Sequence, residues 1–206
     1  MKKITTLTLA FILIAFFAIS CGDDPVETEQ KEESELEKEL FPFTTSSWLY
    51  ERFIYSKDGT WTGKGYIAIK INELDDEGKY EISNLFNLSR EYYCYNEDDG
   101  FYLQEENDEK KLAFKYPAEN GEEWEAYGKL ITVLNTDTLI TVDEVEYNCY
   151  CYKGIELEPF DAWSYDYFLY FIKPGFGIVK GVYIEEDAEV SHDRSEIFIK
   201  SIEERE

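Results

Sequence analysis

The first candidate for chemistry is a short polar run near the C-terminal end, Ser191-His192-Asp193, which holds the single histidine of the chain. Serine, histidine and aspartate are the residue types of a hydrolytic triad, in which the histidine takes the proton of the serine nucleophile. Residues adjacent in sequence rarely adopt that geometry, because the members of a triad converge from separate parts of a fold. We therefore interpret His192 as a surface residue and predict no catalytic residues.

The cysteines form the second candidate set, and three of them lie in the body of the chain: Cys94, Cys149 and Cys151. Cys149 and Cys151 are two apart in a predicted strand, so their side chains point to one face. In an oxidising compartment either could pair with Cys94, but all three could equally be small buried hydrophobic residues. Two cysteines at this spacing, without a second pair, do not form a zinc site. The sequence predicts no metal and no cofactor.

The fourth cysteine, Cys21, follows a segment with the marks of a secretion signal. Lys2 and Lys3 form a cationic start, residues 4–19 carry no charge, and small residues precede the cysteine. The apolar run is shorter than the roughly 20 residues that a spanning helix needs. The ending Ala18-Ile19-Ser20-Cys21 resembles the lipobox of bacterial lipoproteins.

The lipobox resemblance implies that residues 1–20 are removed as a signal peptide and that the Cys21 sulfur takes a diacylglycerol. The new amino group can then take a further acyl chain such as palmitate. Each buried CH₂ contributes about 0.8 kcal/mol, so more than one chain anchors the protein stably in a bilayer. We expect attachment to the outer membrane or the cell surface.

Residues 21–40 combine the lipidated cysteine with an acidic segment in which Lys31 and Lys38 are the only bases. A segment so rich in acids and poor in apolar residues buries too little surface to fold, which predicts a disordered tether. A marginal helix over residues 31–40 is the alternative. Asp23 and Asp24 resemble the export signal of Bacteroidetes-type surface lipoproteins.

Residues 41–206 have the pattern of one all-β domain. Short segments rich in β-branched and aromatic residues alternate with acidic, glycine-containing turns, which predicts an antiparallel meander. In one of them Ile67, Ile69 and Ile71 share a face. Such a meander must curl into a partly closed, lipocalin-like barrel or pack as a sandwich. The predicted strands span residues 48–55, 61–71, 80–86, 88–95, 101–104, 112–116, 124–134, 138–142, 147–152, 165–172, 176–184 and 195–202.

The composition indicates that this domain can form its own core and limits the kinds of molecule that it could bind. Hydrophobic residues make up 44% of the chain and aromatic residues 17%, which is enough to build a core without disulfides. The formal net charge of −25 argues against nucleic acid, whose phosphates require lysine and arginine.

Three stretches together resemble a broad group of uncharacterised Bacteroidetes-type bacterial lipoproteins. Residues 116–124 resemble a "YPxxxGxxW" segment, residues 147–152 resemble the strand that follows it, and residues 170–180 resemble a "YYxPGVGLVK" hairpin. Phe176 stands where the group often has valine. The resemblance implies an all-β, partly closed barrel and lipid anchoring, and it implies no reaction.

Two functions remain open. The domain could be a non-catalytic binding module whose aromatic residues hold a small or oligomeric ligand, since tyrosine and tryptophan join an apolar body to a polar tip. Trp48, Trp61 and Trp163 are the candidate binding residues. Alternatively, it could be a structural or interaction lipoprotein of an envelope assembly, with a filled core and an envelope protein as its partner. An empty barrel interior would favour the first function.

Overall fold

The computed structural model describes residues 39–56, 58–74, 79–85, 91–157, 167–184 and 194–205. Cys21, Trp163 and His192 lie outside the described residues, as do the signal peptide and almost all of the predicted tether. Within the described ranges, no helix is long and apolar enough to span a membrane.

Twelve β-strands make up the regular structure of these residues. They are β1 (Thr45–Tyr55), β2 (Trp61–Glu73), β3 (Tyr80–Ser83), β4 (Glu91–Glu97), β5 (Gly100–Gln104), β6 (Lys111–Lys115), β7 (Glu123–Ala126), β8 (Lys129–Val142), β9 (Val145–Glu156), β10 (Tyr167–Lys173), β11 (Gly177–Ile184) and β12 (Arg194–Glu204).

All twelve strands belong to one antiparallel sheet. Each strand pairs with its neighbours in the chain, with one exception, and β1 also pairs with β12. The exception is β6 and β7, which are the two edges of the sheet. The prediction of an all-β antiparallel meander is confirmed, and the meander curls into a nearly closed barrel rather than a sandwich.

Side chains close the barrel where the backbone ladder is missing. The Trp124 indole Nε1 donates to the carbonyl of Leu112 at 3.0 Å, and the Tyr152 hydroxyl donates to the carbonyl of Lys115 at 2.7 Å. The Tyr127 hydroxyl donates to the carbonyl of Leu103 on the strand beside β6. Aromatic side chains therefore donate hydrogen bonds to carbonyl groups at and near the β6 edge. Without these bonds, that edge could pair with a strand of another chain.

The strand prediction was wrong in the region of β7 and β8. Residues 124–134 were predicted as one strand, but Tyr127 and Gly128 have φ values of 53° and 71° and turn the chain. Two consecutive positive φ values are those of a type I′ hairpin turn. Residues 135–137, predicted as a connection, instead form an irregular part of β8. There the Asn135 Oδ1 atom accepts a hydrogen bond from the Asp137 backbone amide at 3.0 Å.

The folded part also begins earlier than predicted. Leu40, which is part of the predicted tether, is only 1% exposed in the core, and Phe41 is fully buried. The Gly175 amide donates to the carbonyl of Glu39 at 2.6 Å. An apolar pair next to the acidic segment thus belongs to the domain, because it covers one end of the barrel.

That end of the barrel, where β1 begins, is filled with aromatic rings, and we call it the closed end. The Phe41 ring lies 5.9 Å from that of Trp48, 4.6 Å from that of Phe101 and 6.2 Å from that of Phe114, measured between centroids. Trp48 Nε1 donates to the carbonyl of Phe176 at 2.6 Å. The opposite end of β1 is called the open end below.

Candidate functional site

The inner face of β1 and β2 changes from filled to open along the two strands. Alternate residues of a strand share a face, so the inward-facing positions follow from the buried ones. The inward residues nearer the closed end are fully buried: Trp48, Tyr50, Ile69 and Ile71. Those nearer the open end are half-buried: Arg52, Ile54, Gly63, Gly65 and Ile67. The barrel interior therefore reaches solvent beside these two strands.

The strand register arranges the inner face of the open end in rows. One row runs from Tyr183 on β11 through Ser195 on β12 and Ile54 on β1 to Gly63 on β2. The next row towards the closed end runs through Gly181, Ile197, Arg52 and Gly65. We call the surface formed by Arg52, Ile54, Gly63, Gly65, Ile67 and Ser195 the mouth.

The two glycines of the mouth border open space. Among the described residues, a Cβ atom added at Gly65 would meet no atom within 4 Å, and one added at Gly63 would meet only Ile54 Cδ1, at 3.8 Å. Two glycines elsewhere on the inner face are covered. A Cβ at Gly181 would lie 2.8 Å from Ile197 Cγ1, and one at Gly154 would lie 2.2 Å from Phe168 Cε1. The interior is thus packed at the covered glycines and unfilled at the mouth.

Besides Arg52, few polar groups of the described residues lie near the mouth. Ser195 is 2% exposed, and its hydroxyl has no hydrogen-bond partner among the described residues. The Tyr183 hydroxyl is hydrogen-bonded to that of Tyr170 at 2.9 Å. Deeper in the barrel, the Tyr50 hydroxyl donates to the carbonyl of Ile178 at 2.9 Å, and burial raises the pKa of this phenol well above its ordinary value. An apolar concave surface with few polar groups is the usual character of a small-molecule site.

The structure does not bring the predicted tryptophans together. Trp48 is fully buried at the closed end and fills the core. Trp61 is 58% exposed and pairs with Tyr55, at the open end of β1. Trp163 lies outside the described residues. Sequence reasoning missed Gly63, Gly65 and Ser195; two glycines inside a strand pattern were the available signal, because such glycines mark a close approach or a gap.

The buried cysteines give no sign of chemistry. Cys94, Cys149 and Cys151 are free thiols with almost no exposed surface. Desolvation raises the pKa of Cys94 and Cys149 to about 12 and that of Cys151 to about 11. A thiol is nucleophilic only as the thiolate, so these three are inert at neutral pH. Among the described residues, no group of three or more His, Cys, Asp or Glu side chains could hold a metal ion.

Comparison with known proteins identifies no family for this chain. No family model matches it, and no curated protein matches it. A solved structure of a LolA superfamily protein from Nitrosomonas europaea is similar over 86% of this chain and 93% of its own, with 9% identity and a TM-score of 0.25. A DUF1329 family protein from Desulfovibrio piger is similar over 88% of this chain and 94% of its own, with 8% identity and a TM-score of 0.26. Both likenesses concern the course of the chain alone.

Proposed function

We propose that this chain is an envelope lipoprotein whose β-domain binds a small apolar ligand in the mouth of its barrel, without catalysing a reaction on it. One observation carries the proposal: the described residues fill the interior at the closed end and leave it unfilled beside Gly63 and Gly65. Protein interiors are close-packed, so an unfilled apolar surface that reaches solvent is a place where a ligand can complete the packing.

The position of the N-terminal segment is compatible with an anchored binding domain. Glu39, Leu40 and Phe41 enter the domain at the closed end, where the Glu39 carbonyl binds the Gly175 amide. The mouth lies at the other end of β1. The described chain therefore enters the barrel at the end away from the mouth.

A substitution that fills the mouth tests the binding function. We would measure the fluorescence of the apolar probe N-phenyl-1-naphthylamine with the wild-type domain and with Gly65→Leu. The leucine side chain would occupy the space beside Gly65, so we expect at least tenfold weaker probe binding. The matched control is Tyr66→Leu, because Tyr66 is the neighbouring residue on the exposed outer face. Equal probe binding by both variants, or no binding by the wild type, would contradict the proposal.

The anchoring is tested separately at Cys21. In cells given labelled palmitate, the wild-type chain should carry label and enter the detergent phase. Cys21→Ser removes the sulfur that accepts the diacylglycerol, so that variant should be unlabelled and remain in the aqueous phase. A labelled, detergent-soluble Cys21→Ser chain would show that the anchor is elsewhere.

The β8–β9 hairpin supports a second candidate function, that of an interaction lipoprotein. Beyond the part of β9 that pairs with β10, the hairpin is two-stranded. It carries two exposed apolar side chains there, Leu139 and Val145. Exposed apolar residues on a hairpin can form part of a protein contact. Under this alternative the probe would bind weakly, and Gly65→Leu would not change its affinity.

A further inference from the structure

We infer that the ligand of the mouth is a neutral amphiphile whose hydroxyl or carbonyl group binds the Ser195 hydroxyl, with its apolar tail against Gly63 and Gly65. This inference rests on the proposed function and specifies the class of its ligand.

The Ser195 hydroxyl is the observation behind it. Ser195 is 2% exposed, and its Oγ is buried without a hydrogen-bond partner among the described residues. A buried hydroxyl without a partner destabilises the folded protein, because its hydrogen bonds to water are lost and no protein hydrogen bond replaces them. Other buried hydroxyls nearby are satisfied: that of Tyr50 by the Ile178 carbonyl, and that of Tyr170 by Tyr183. A buried hydroxyl without a partner is a point at which a ligand can supply the missing hydrogen bond.

The register directs Ser195 into the barrel. Ile197, two residues further along β12, is fully buried and would contact a Cβ atom at Gly181, so it faces inward. Ser195 shares that face, and it pairs with Ile54 on one side and with Tyr183 on the other. Its two neighbours in the row are therefore one aliphatic and one aromatic side chain, and Arg52 lies in the next row, opposite Ile197.

The distance across the rows sets the length of the ligand. Ser195 and Gly63 belong to one row and are separated by the strand that carries Ile54. Two strand spacings amount to about 10 Å. A ligand that binds Ser195 with its head and fills the glycine space with its tail must pass over Ile54. A medium-length alkyl chain with one polar end has this shape.

The charge of the protein favours a neutral head group. The formal net charge of −25 repels an anion as it approaches. Arg52 is the cation of the mouth, and it already has an interaction partner. A hydroxyl or carbonyl group carries no charge, and either can complete the hydrogen bond that Ser195 lacks.

The test uses 1-octanol, octane and octanoate, each displacing the fluorescent probe from the wild-type domain and from Ser195→Ala. One hydrogen bond corresponds to about a threefold to tenfold change in affinity. We therefore expect Ser195→Ala to bind octanol three to ten times more weakly and octane as well as the wild type does. Octanoate should bind no more tightly than octanol. Ser201→Ala is the matched control, because Ser201 lies on the exposed part of β12.

A stability measurement separates binding from a structural role. Ser195→Ala removes an unpaired hydroxyl and keeps the Cβ atom, so its melting temperature should be no lower than that of the wild type. Equal octanol binding by Ser195→Ala and the wild type, or an equal loss for octanol and octane, would overturn the inference. Tighter octanoate binding would overturn the neutral head group. Failure of every compound to displace the probe from the wild type would instead refute the proposed function.

Discussion

Two inward-facing glycines should respond in opposite ways to one added methyl group. At Gly154 the new Cβ atom would lie 2.2 Å from Phe168 Cε1 and 2.3 Å from Cζ, so the buried ring must move. Overpacking of this kind costs about 1–3 kcal/mol. At Gly65 the new Cβ atom would meet no atom of the described part of the chain within 4 Å. Replacing glycine by alanine where there is room stabilises a protein by about 0.4–1 kcal/mol. The two variants should therefore differ by about 1.5–4 kcal/mol in their free energy of unfolding.

Urea unfolding followed by tryptophan fluorescence measures this difference. The midpoint should fall for Gly154→Ala and rise slightly for Gly65→Ala, with the slope m unchanged in both, since m follows the surface exposed on unfolding. The double variant Gly154→Ala/Phe168→Leu should lose less than the sum of the two single variants, because the smaller side chain removes the clash. If Gly65→Ala is destabilised as much as Gly154→Ala, the space beside Gly65 is filled and the mouth does not exist.

Three further outcomes are expected. Leu40→Ala should lower the free energy of unfolding by about 2–5 kcal/mol, as for other large core residues. An unchanged free energy of unfolding would show that Leu40 belongs to the tether and not to the core. Trp124→Phe removes the indole donor to the Leu112 carbonyl and should cost about 0.5–1.5 kcal/mol. It should also speed amide exchange in β6 and β7, and unchanged exchange would show that this bond does not hold the edges together. Burial raises the pKa of Cys94 from 9.0 to about 12. Because the unfolded chain ionises this thiol first, its contribution to stability is complete below pH 9 and is lost as the pH rises towards 12; relative to Cys94→Ala, the wild type should lose stability over that window.

The sequence predicted the class of fold because the relevant signals are local. The alternation in β2 placed Ile67, Ile69 and Ile71 on one face, and all three face the interior. The pairing of β1 with β12 joins the two ends of the domain, and no local pattern encodes it. The turn at Tyr127 and Gly128 was missed because tyrosine is not a residue that favours a positive φ.

The candidate site was harder to predict because it depends on what is missing from the interior. Tryptophan is a reasonable candidate for ligand stacking, but Trp48 is fully buried in the core and cannot contact a ligand in the mouth. Gly65 and Gly154 look alike in sequence, since each is a glycine within a strand. A ring from a neighbouring strand fills the space at Gly154, and no residue in the described ranges fills it at Gly65. That difference is a property of tertiary packing, which a single sequence does not show.

The binding site itself can be located by titrating the ¹⁵N-labelled domain with 1-octanol and following the backbone amide resonances. Binding in the mouth predicts that the largest shifts belong to Arg52, Gly63, Gly65 and Ser195, and that the closed end around Trp48 is unchanged. Shifts concentrated instead on the β8–β9 hairpin at Leu139 and Val145, or no saturable shifts at all, would contradict a ligand site inside the open end of the barrel.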